Sequence, residues 1–169
     1  MNRALRGRLP PMRSVEIVIE CPLWKTIPSV KATLRRSIRV AWPADLANAE
    51  VAILLTDDDT VRLLNRRWRG LDQPTNVLSF PNRQTARDPG APVFLGDIVI
   101  AYGSAAREAA ADGKSMLHHL THLAVHGFLH LVGYDHESDD EAESMESLER
   151  KVLAQLGISD PYAPHEAKL

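Results

Sequence analysis

The segment of the chain with the most chemically active side chains is residues 126–136, HGFLHLVGYDH. It contains His126, His130 and His136, and Gly133 lies between the second and the third histidine. Residues four apart lie on one face of a helix, about 6 Å apart along its axis, so His126 and His130 can bind one metal ion. Gly133 favours the left-handed conformation that ends a helix, which allows the chain to bring His136 back. The spacing therefore predicts a metal site with three histidine ligands.

His122 offers an alternative pairing, because it lies four residues before His126. A straight helix cannot supply His122, His126 and His130 together, since the first and last are separated by about 12 Å of rise and a zinc–nitrogen bond is about 2 Å long. His119 and His122 continue the same seam of the helix. They are interpreted either as residues that orient the ligands or contact substrate, or as a partly buried polar seam.

The set of three imidazoles indicates which metal is bound and for what purpose. Three protein ligands leave one tetrahedral position open, which is typical of catalytic rather than structural zinc. We therefore expect one Zn²⁺ per chain, or another divalent transition metal that imidazole suits.

The residue after the first histidine ligand indicates which reaction the metal site can catalyse. The pattern H-x-x-x-H-x-x-G-x-x-H is similar to the zinc helix of the metzincin proteases, but those enzymes carry glutamate where this chain has Gly127. That glutamate is the general base of peptide hydrolysis, and glycine cannot replace it. A metal held by three histidines still lowers the pKa of water toward neutrality. The pattern therefore favours a phosphodiester substrate such as RNA, with a metallopeptidase as the less favoured alternative.

The order of the predicted elements is β-α-β-α-β-β-α-α-α. Alternating or continuously apolar segments predict strands at residues 15–21, 50–57, 75–81 and 94–102. The helix of residues 114–132 carries most of the histidines, and a capping box at Ser138 and Glu141 begins the last helix. We expect an α/β (α+β) fold: a single domain with one mixed four-stranded sheet covered by about five helices. Residues 82–93 are expected to form a mobile loop.

Length and composition limit the domain organisation and the cellular compartment that can be expected. The chain has 169 residues, a net charge of −2 and one cysteine, so an internal disulfide is impossible and a reducing compartment, the cytoplasm, is expected. We expect a catalytic domain over residues 15–157, a flexible basic N-terminal tail over 1–14 and a flexible C-terminal tail over 158–169. No apolar segment approaches the roughly 20 residues that cross a bilayer.

Three segments, taken together, resemble one known family. They are LNRRWRGLDQPTNVLSFP (64–81), LGDIVI (95–100) and HLAVHGFLHLVGYDH (122–136). In order and spacing they are similar to the YbeY family of bacterial endoribonucleases, also called rRNA maturation factors. The resemblance implies a single α/β domain whose metal, usually zinc, is held by His126, His130 and His136. It also implies that Arg69 matches an arginine that the family needs for activity and that faces the metal cleft.

The activity implied by the resemblance is metal-dependent cleavage of single-stranded RNA, in maturation of the 16S rRNA 3′ end and in ribosome quality control. The partners it implies are rRNA, the small ribosomal subunit and ribosomal or assembly proteins, with no membrane and no DNA. The alternative is a zinc-containing ribosome-assembly factor without catalysis. From the residues alone, Arg69 is either a phosphate-binding guanidinium or a surface arginine favoured by a helix C-terminus.

Weaker signals concern single residues. Asp97 is interpreted equally as a partner of a ligand histidine or as an edge residue of its strand. Asp135 is expected to be a turn residue, with a carboxylate that holds a histidine tautomer as the alternative interpretation. Trp68 is expected in the core, and the aromatic residues are too few to predict a base-stacking platform. Residues 135–149 hold eight acidic residues and no lysine or arginine, so RNA is expected to approach from the arginine-rich side.

Overall fold

A computed structural model describes residues 13–83 and 91–163 of the chain. They form a single domain with one four-stranded sheet and five α-helices, as predicted. The strands are β1 (Arg13–Ile19), β2 (Ala49–Thr56), β3 (Val77–Pro81) and β4 (Val93–Ala101). The helices are α1 (Val30–Ala41), α2 (Asp58–Arg69), α3 (Tyr102–Ala111), α4 (Met116–Leu131) and α5 (Asp139–Gln155), and a short 3-10 helix spans Pro22–Thr26.

The predicted element order is confirmed, with small differences at the ends. β1 begins at Arg13, so two residues of the segment predicted as an N-terminal tail belong to the sheet. Residues 1–12 and most of the loop predicted at 82–93 lie outside the described residues. No helix within the described ranges is both long enough and apolar enough to span a membrane.

The sheet has the strand order β1-β2-β4-β3. β1, β2 and β4 are parallel, and β3 pairs with β4 in the antiparallel direction, which makes the sheet mixed. The parallel strands place Ile17, Ile53 and Ile98 in one row across the sheet. β3 thus forms one edge of the sheet, and it lies beside the candidate site described below.

Helix α4 lies in the main core. Ten of its sixteen residues are buried, including Leu120, Ala124 and Phe128, and Phe128 packs on Trp42 with ring centroids 5.2 Å apart. A helix that is apolar around most of its circumference is one that its neighbours enclose. The histidines of α4 are therefore carried by a rigid element.

Helix α2 covers the opposite face of the sheet. A smaller core there consists of Val61, Leu78, Val99 and Ala101. The Asp58 carboxylate accepts hydrogen bonds from Ser104 N and from Arg107, both at 2.8 Å, and so ties the start of α2 to α3. α2 ends at Arg69, and Gly70 follows with a φ of 72°, the left-handed conformation typical of a helix C-terminus.

The prediction that Trp68 belongs to the core is wrong. Its side chain is 63% exposed. Val61 and Asn65 of the same helix are buried, but at the level of Trp68 the contact is with Phe80, at a ring-centroid distance of 6.3 Å. Beyond Asn65, the last turn of α2 therefore leaves the indole mostly in solvent.

Gly127 marks the closest approach of α4 to the sheet. A Cβ atom there would lie 2.8 Å from Ile98 Cγ2 and 3.0 Å from Ser79 Oγ. The Ser79 hydroxyl donates to the Gly127 carbonyl oxygen at 3.0 Å. Position 127 thus faces the sheet, and packing alone excludes a glutamate there.

Replacing Gly127 with alanine should destabilise the fold. Overpacking costs about 1–3 kcal/mol, and the better helix propensity of alanine returns up to about 1 kcal/mol, so we expect a net loss of about 1–2 kcal/mol in the free energy of unfolding. Chemical denaturation measures it. Adding Ser79→Ala, which removes one of the two crowding atoms, should cost less than the sum of the single changes. An unchanged stability of Gly127→Ala would mean that α4 can move off the sheet freely.

Candidate metal centre

The three motif histidines converge. Each of His126, His130 and His136 offers one ring nitrogen, and the three atoms lie within 4.8 Å of one another. The two Nε2 atoms of His126 and His130 are 3.2 Å apart. Tetrahedral coordination with bonds of about 2 Å separates ligand atoms by about 3.3 Å. The donor set and its spacing therefore fit a single zinc-like ion.

The end of α4 brings the third histidine back. Gly133 has a φ of 103°, and Tyr134 N donates to Leu129 O at 3.0 Å. This is the hydrogen bond of a helix end closed by a left-handed residue. The chain therefore reverses where the sequence predicted, and it places His136 beside the last turn of α4.

The same turn orients His130. Its Nδ1 lies 3.0 Å from the Tyr134 carbonyl oxygen, and because a carbonyl only accepts, Nδ1 carries the proton and Nε2 is left as the metal-binding atom. Burial, together with the neighbouring His126 and His136, lowers the pKa of His130. A lowered pKa favours the neutral imidazole, which is the form that binds metal.

Glu149, on α5, orients His126. The fully buried carboxylate accepts hydrogen bonds from His126 Nδ1 at 2.6 Å, from His122 Nε2 at 2.8 Å and from the Tyr162 hydroxyl. Burial by itself would raise its pKa, but the three hydrogen bonds outweigh burial and lower the pKa of Glu149 to about 2. The ionised carboxylate holds the proton of His126 on Nδ1 and directs Nε2 to the centre.

Residues 158–163, from the segment predicted as a flexible C-terminal tail, lie behind this carboxylate. Burial and the bond to Glu149 raise the pKa of Tyr162, which keeps its hydroxyl a donor. Arg150 lies over the Tyr162 ring, 5.1 Å from its centroid, and forms an ion pair with Asp160 at 3.2 Å. The segment is thus attached to α5 at two points.

His119 and His122 belong to a polar seam. His122 shares Glu149 with His126, so it acts on a ligand indirectly. His119 is buried, and its Nε2 lies 2.7 Å from Glu108. Of the two interpretations left open by the sequence, the structure supports the seam, with His122 as the member nearest to the ligands.

Arg69 lines the same cleft as the histidines. The cleft has a volume of about 660 Å³. Its other polar lining comes from β3 and its flanks and from the His136 loop: Thr75, Asn76, Ser79, Arg83, Asp135 and Glu137. The Arg69 side chain is exposed and makes no ion pair within the described parts of the chain. Its charge is therefore available to an anion in the cleft.

Asp97 and Asp135 have structural positions. Ile98 faces α4, where it meets Gly127, so the preceding Asp97 lies on the opposite face of the sheet and does not line the cleft. Asp135 accepts from the His136 backbone N–H at 2.8 Å and shapes the loop, as expected of a turn residue.

The ligand partner that sequence reasoning missed is Glu149. It lies four residues after Met145 and three before Val152, within the buried face of α5. A carboxylate on an apolar stripe is a signal, because a buried charge needs partners. Tyr162 carries no comparable signal in the sequence.

Fold and site together define a small α/β protein with a three-histidine metal centre in a cleft that also contains an arginine. A family model described as "Endoribonuclease YbeY" matches residues 25–157. The chain belongs to this family, which confirms the resemblance drawn from the sequence.

Several relatives carry the name Endoribonuclease YbeY. The protein of Rhodopseudomonas palustris strain BisB18 is 55% identical over 163 residues, covering 94% of this chain and 96% of its own. That of Bradyrhizobium diazoefficiens is 53% identical over 159 residues, covering 90% and 86%. The solution structure of TM1509 from Thermotoga maritima aligns over 89% of this chain and 99% of its own, with a TM-score of 0.52 and 24% identity. That likeness shows the fold alone.

Metal binding tests the three ligands. We expect the purified protein to hold one zinc-like ion per chain, and His126→Ala, His130→Ala and His136→Ala each to lose it, since a site of three ligands has none to spare. Elemental analysis and competition with a chelator measure this. His118→Ala, which changes an exposed histidine of the same helix, should keep its metal. Equal metal content in all variants would disprove the site.

Glu149 should tune metal affinity as well as stability. Glu149→Gln keeps the shape but loses the charge, so we expect about 10- to 100-fold weaker zinc binding. Glu149→Ala leaves buried donors without an acceptor and should cost about 3–5 kcal/mol in unfolding free energy. Glu146→Gln, a change of a partly exposed carboxylate on the same helix, is the matched control. Unchanged affinity in Glu149→Gln would show that the ligands need no such support.

Proposed function

We propose that this protein is a metal-dependent endoribonuclease that cleaves single-stranded RNA. Its role would be maturation of the 16S rRNA 3′ end and ribosome quality control, in the cytoplasm. Its partners would be rRNA, the small ribosomal subunit and ribosomal or assembly proteins. The observation that carries the proposal is that Arg69 lines the same cleft as His126, His130 and His136. The names printed for its relatives support it.

Each group has a part in phosphodiester hydrolysis. The Arg69 guanidinium binds the scissile phosphate through two hydrogen bonds and stabilises the charge that develops on it. His126, His130 and His136 would hold Zn²⁺, which supplies Lewis-acid polarisation and a lowered pKa of water when bound. Glu149 and the Tyr134 carbonyl keep two of these imidazoles in the required tautomer.

Position 127 argues against the metallopeptidase. The general-base glutamate of the zinc proteases follows the first histidine ligand. Here a Cβ atom at that position would lie 2.8 Å from Ile98 Cγ2 and 3.0 Å from Ser79 Oγ, so a longer side chain would have to displace both neighbours. A phosphodiester, which has its own charged oxygens, suits a site without that base better than a peptide does.

Arg69→Ala should reduce cleavage of a single-stranded RNA carrying the 16S 3′ precursor sequence by about 100-fold, as loss of one charge-stabilising donor does in other hydrolases. Metal content should be unchanged, because Arg69 is not a ligand. Arg39→Ala, which changes an exposed arginine in the last turn of α1 that does not line the cleft, is the matched control. Cleavage is followed on a gel, with metal measured on the same samples.

The same series separates catalysis from a non-catalytic assembly role. If wild type, Arg69→Ala and His126→Ala all cut alike, the nuclease is a contaminant and the proposal fails. If none of them cuts, while cells carrying Arg69→Ala mature their 16S rRNA normally and cells carrying His136→Ala do not, the metal has a structural role in an assembly factor.

A further inference from the structure

We propose that Trp68 is a stacking platform for a base of single-stranded RNA whose phosphate is bound at Arg69. This inference rests on the proposed function and adds a base-binding subsite to it. The indole stands at the C-terminal end of α2, immediately before Arg69, and is 63% exposed.

The other two tryptophans show what a structural indole looks like in this fold. Trp24 is fully buried and donates its indole N–H to Thr56 O at 2.9 Å. Trp42 is also buried and donates to Leu46 O at 2.7 Å. Trp68 differs from both, because most of its ring is in contact with solvent. At 63% exposure the ring is accessible to a planar ligand.

The charge around Trp68 favours nucleic acid. The Arg67 guanidinium lies over the ring, 5.3 Å from its centroid, in a cation–π contact. The basic residues of this last helical turn are Arg66, Arg67 and Arg69. A stacking ring beside several cations is the combination that single-strand-binding proteins use, with the cations on the phosphates and the ring under a base.

The ring lies across the edge strand β3 from the cleft. Trp68 makes an edge contact with Phe80 of β3, and the neighbours of Phe80 in the chain, Ser79 and Pro81, line the cleft. β3 is the edge strand of the sheet. A single strand that leaves the cleft beside Arg69 and crosses this edge therefore meets the indole with its next nucleotides.

Fluorescence tests the contact directly. All three tryptophans of the chain lie within the described residues, and Trp68 is the exposed one, so quenching by a stacked base reports on Trp68. We expect a short oligoadenylate to quench part of the emission of the wild-type protein. Trp68→Phe should bind the oligonucleotide within about 2-fold of wild type, since a flat ring remains, but its emission should not respond.

Comparing the affinities for oligoadenylate and for an abasic oligonucleotide separates the contribution of base stacking from that of phosphate binding. Trp68→Ala should bind oligoadenylate about 5- to 10-fold more weakly. It should bind an abasic oligonucleotide of equal length as well as wild type does, with an unchanged salt dependence. Arg69→Ala should weaken both and reduce the salt slope by about 1. Leu63→Ala is the matched control, because Leu63 is 66% exposed on the same helix but about 140° around its axis from Trp68. The oligonucleotide is sized after each titration to show that it is intact.

Three results would overturn the inference. The stacking role of Trp68 is disproved if Trp68→Ala binds oligoadenylate as tightly as wild type and oligoadenylate does not quench the wild-type emission. The Arg69→Ala result would still support the proposed function in that case. Equal weakening on both oligonucleotides, or in Leu63→Ala as well, would show a general structural effect. If, without RNA, acrylamide quenching of Trp68 weakens as the protein concentration rises, Trp68 lies in a protein–protein interface instead. If wild type binds neither oligonucleotide, the proposed function itself fails.

Discussion

The close packing of α4 against the sheet is the constraint on which the rest of the site depends. At Gly127 the helix backbone approaches Ile98 and Ser79 so closely that an added Cβ atom would have to displace them. Since successive helical residues are about 100° apart, fixing this contact fixes the direction of His126, the preceding residue, and of His130, about one turn later. The glycine that distinguishes the motif from a protease helix is thus first a packing requirement, and the missing base is its chemical consequence.

The second constraint is the buried charge of Glu149. Removing a carboxylate from water costs several kcal/mol unless donors compensate, and here the donors come from His122 and His126 on α4 and from Tyr162 in the C-terminal segment. Helix α5, the residues after it and the metal ligands are therefore one network. A fixed anion that accepts a hydrogen bond from one imidazole nitrogen also makes the other nitrogen a stronger ligand for a metal cation.

What the sequence could predict is what local spacing determines. The i, i+4 pair, the glycine that reverses the chain and the third histidine follow from helix geometry, and they lie together as expected. The cleft position of Arg69 does not follow from spacing. It depends on how α2 and α4 pack on opposite faces of the sheet, and only the family resemblance indicated it. Tyr162 was missed for the same reason, since its contact with Glu149 joins residues that no periodic pattern links. The wrong prediction for Trp68 has a similar origin, because the burial of a helical side chain depends on what packs against it, and local sequence does not give that.

The edge position of β3 explains how groups from two faces of a sheet share one cleft. The histidines come from the α4 side, and Arg69 comes from the end of the helix on the other side. Only at a sheet edge can both reach the same space, because an interior strand would separate them. The charges are also distributed unevenly: the imidazoles line one wall together with Asp135 and Glu137, and guanidinium groups cluster at the end of α2. The acidic first turn of α5 begins beyond the His136 loop. A protein with a net charge of −2 can therefore present a locally positive approach to a phosphate, since the local field rather than the total charge governs such an encounter.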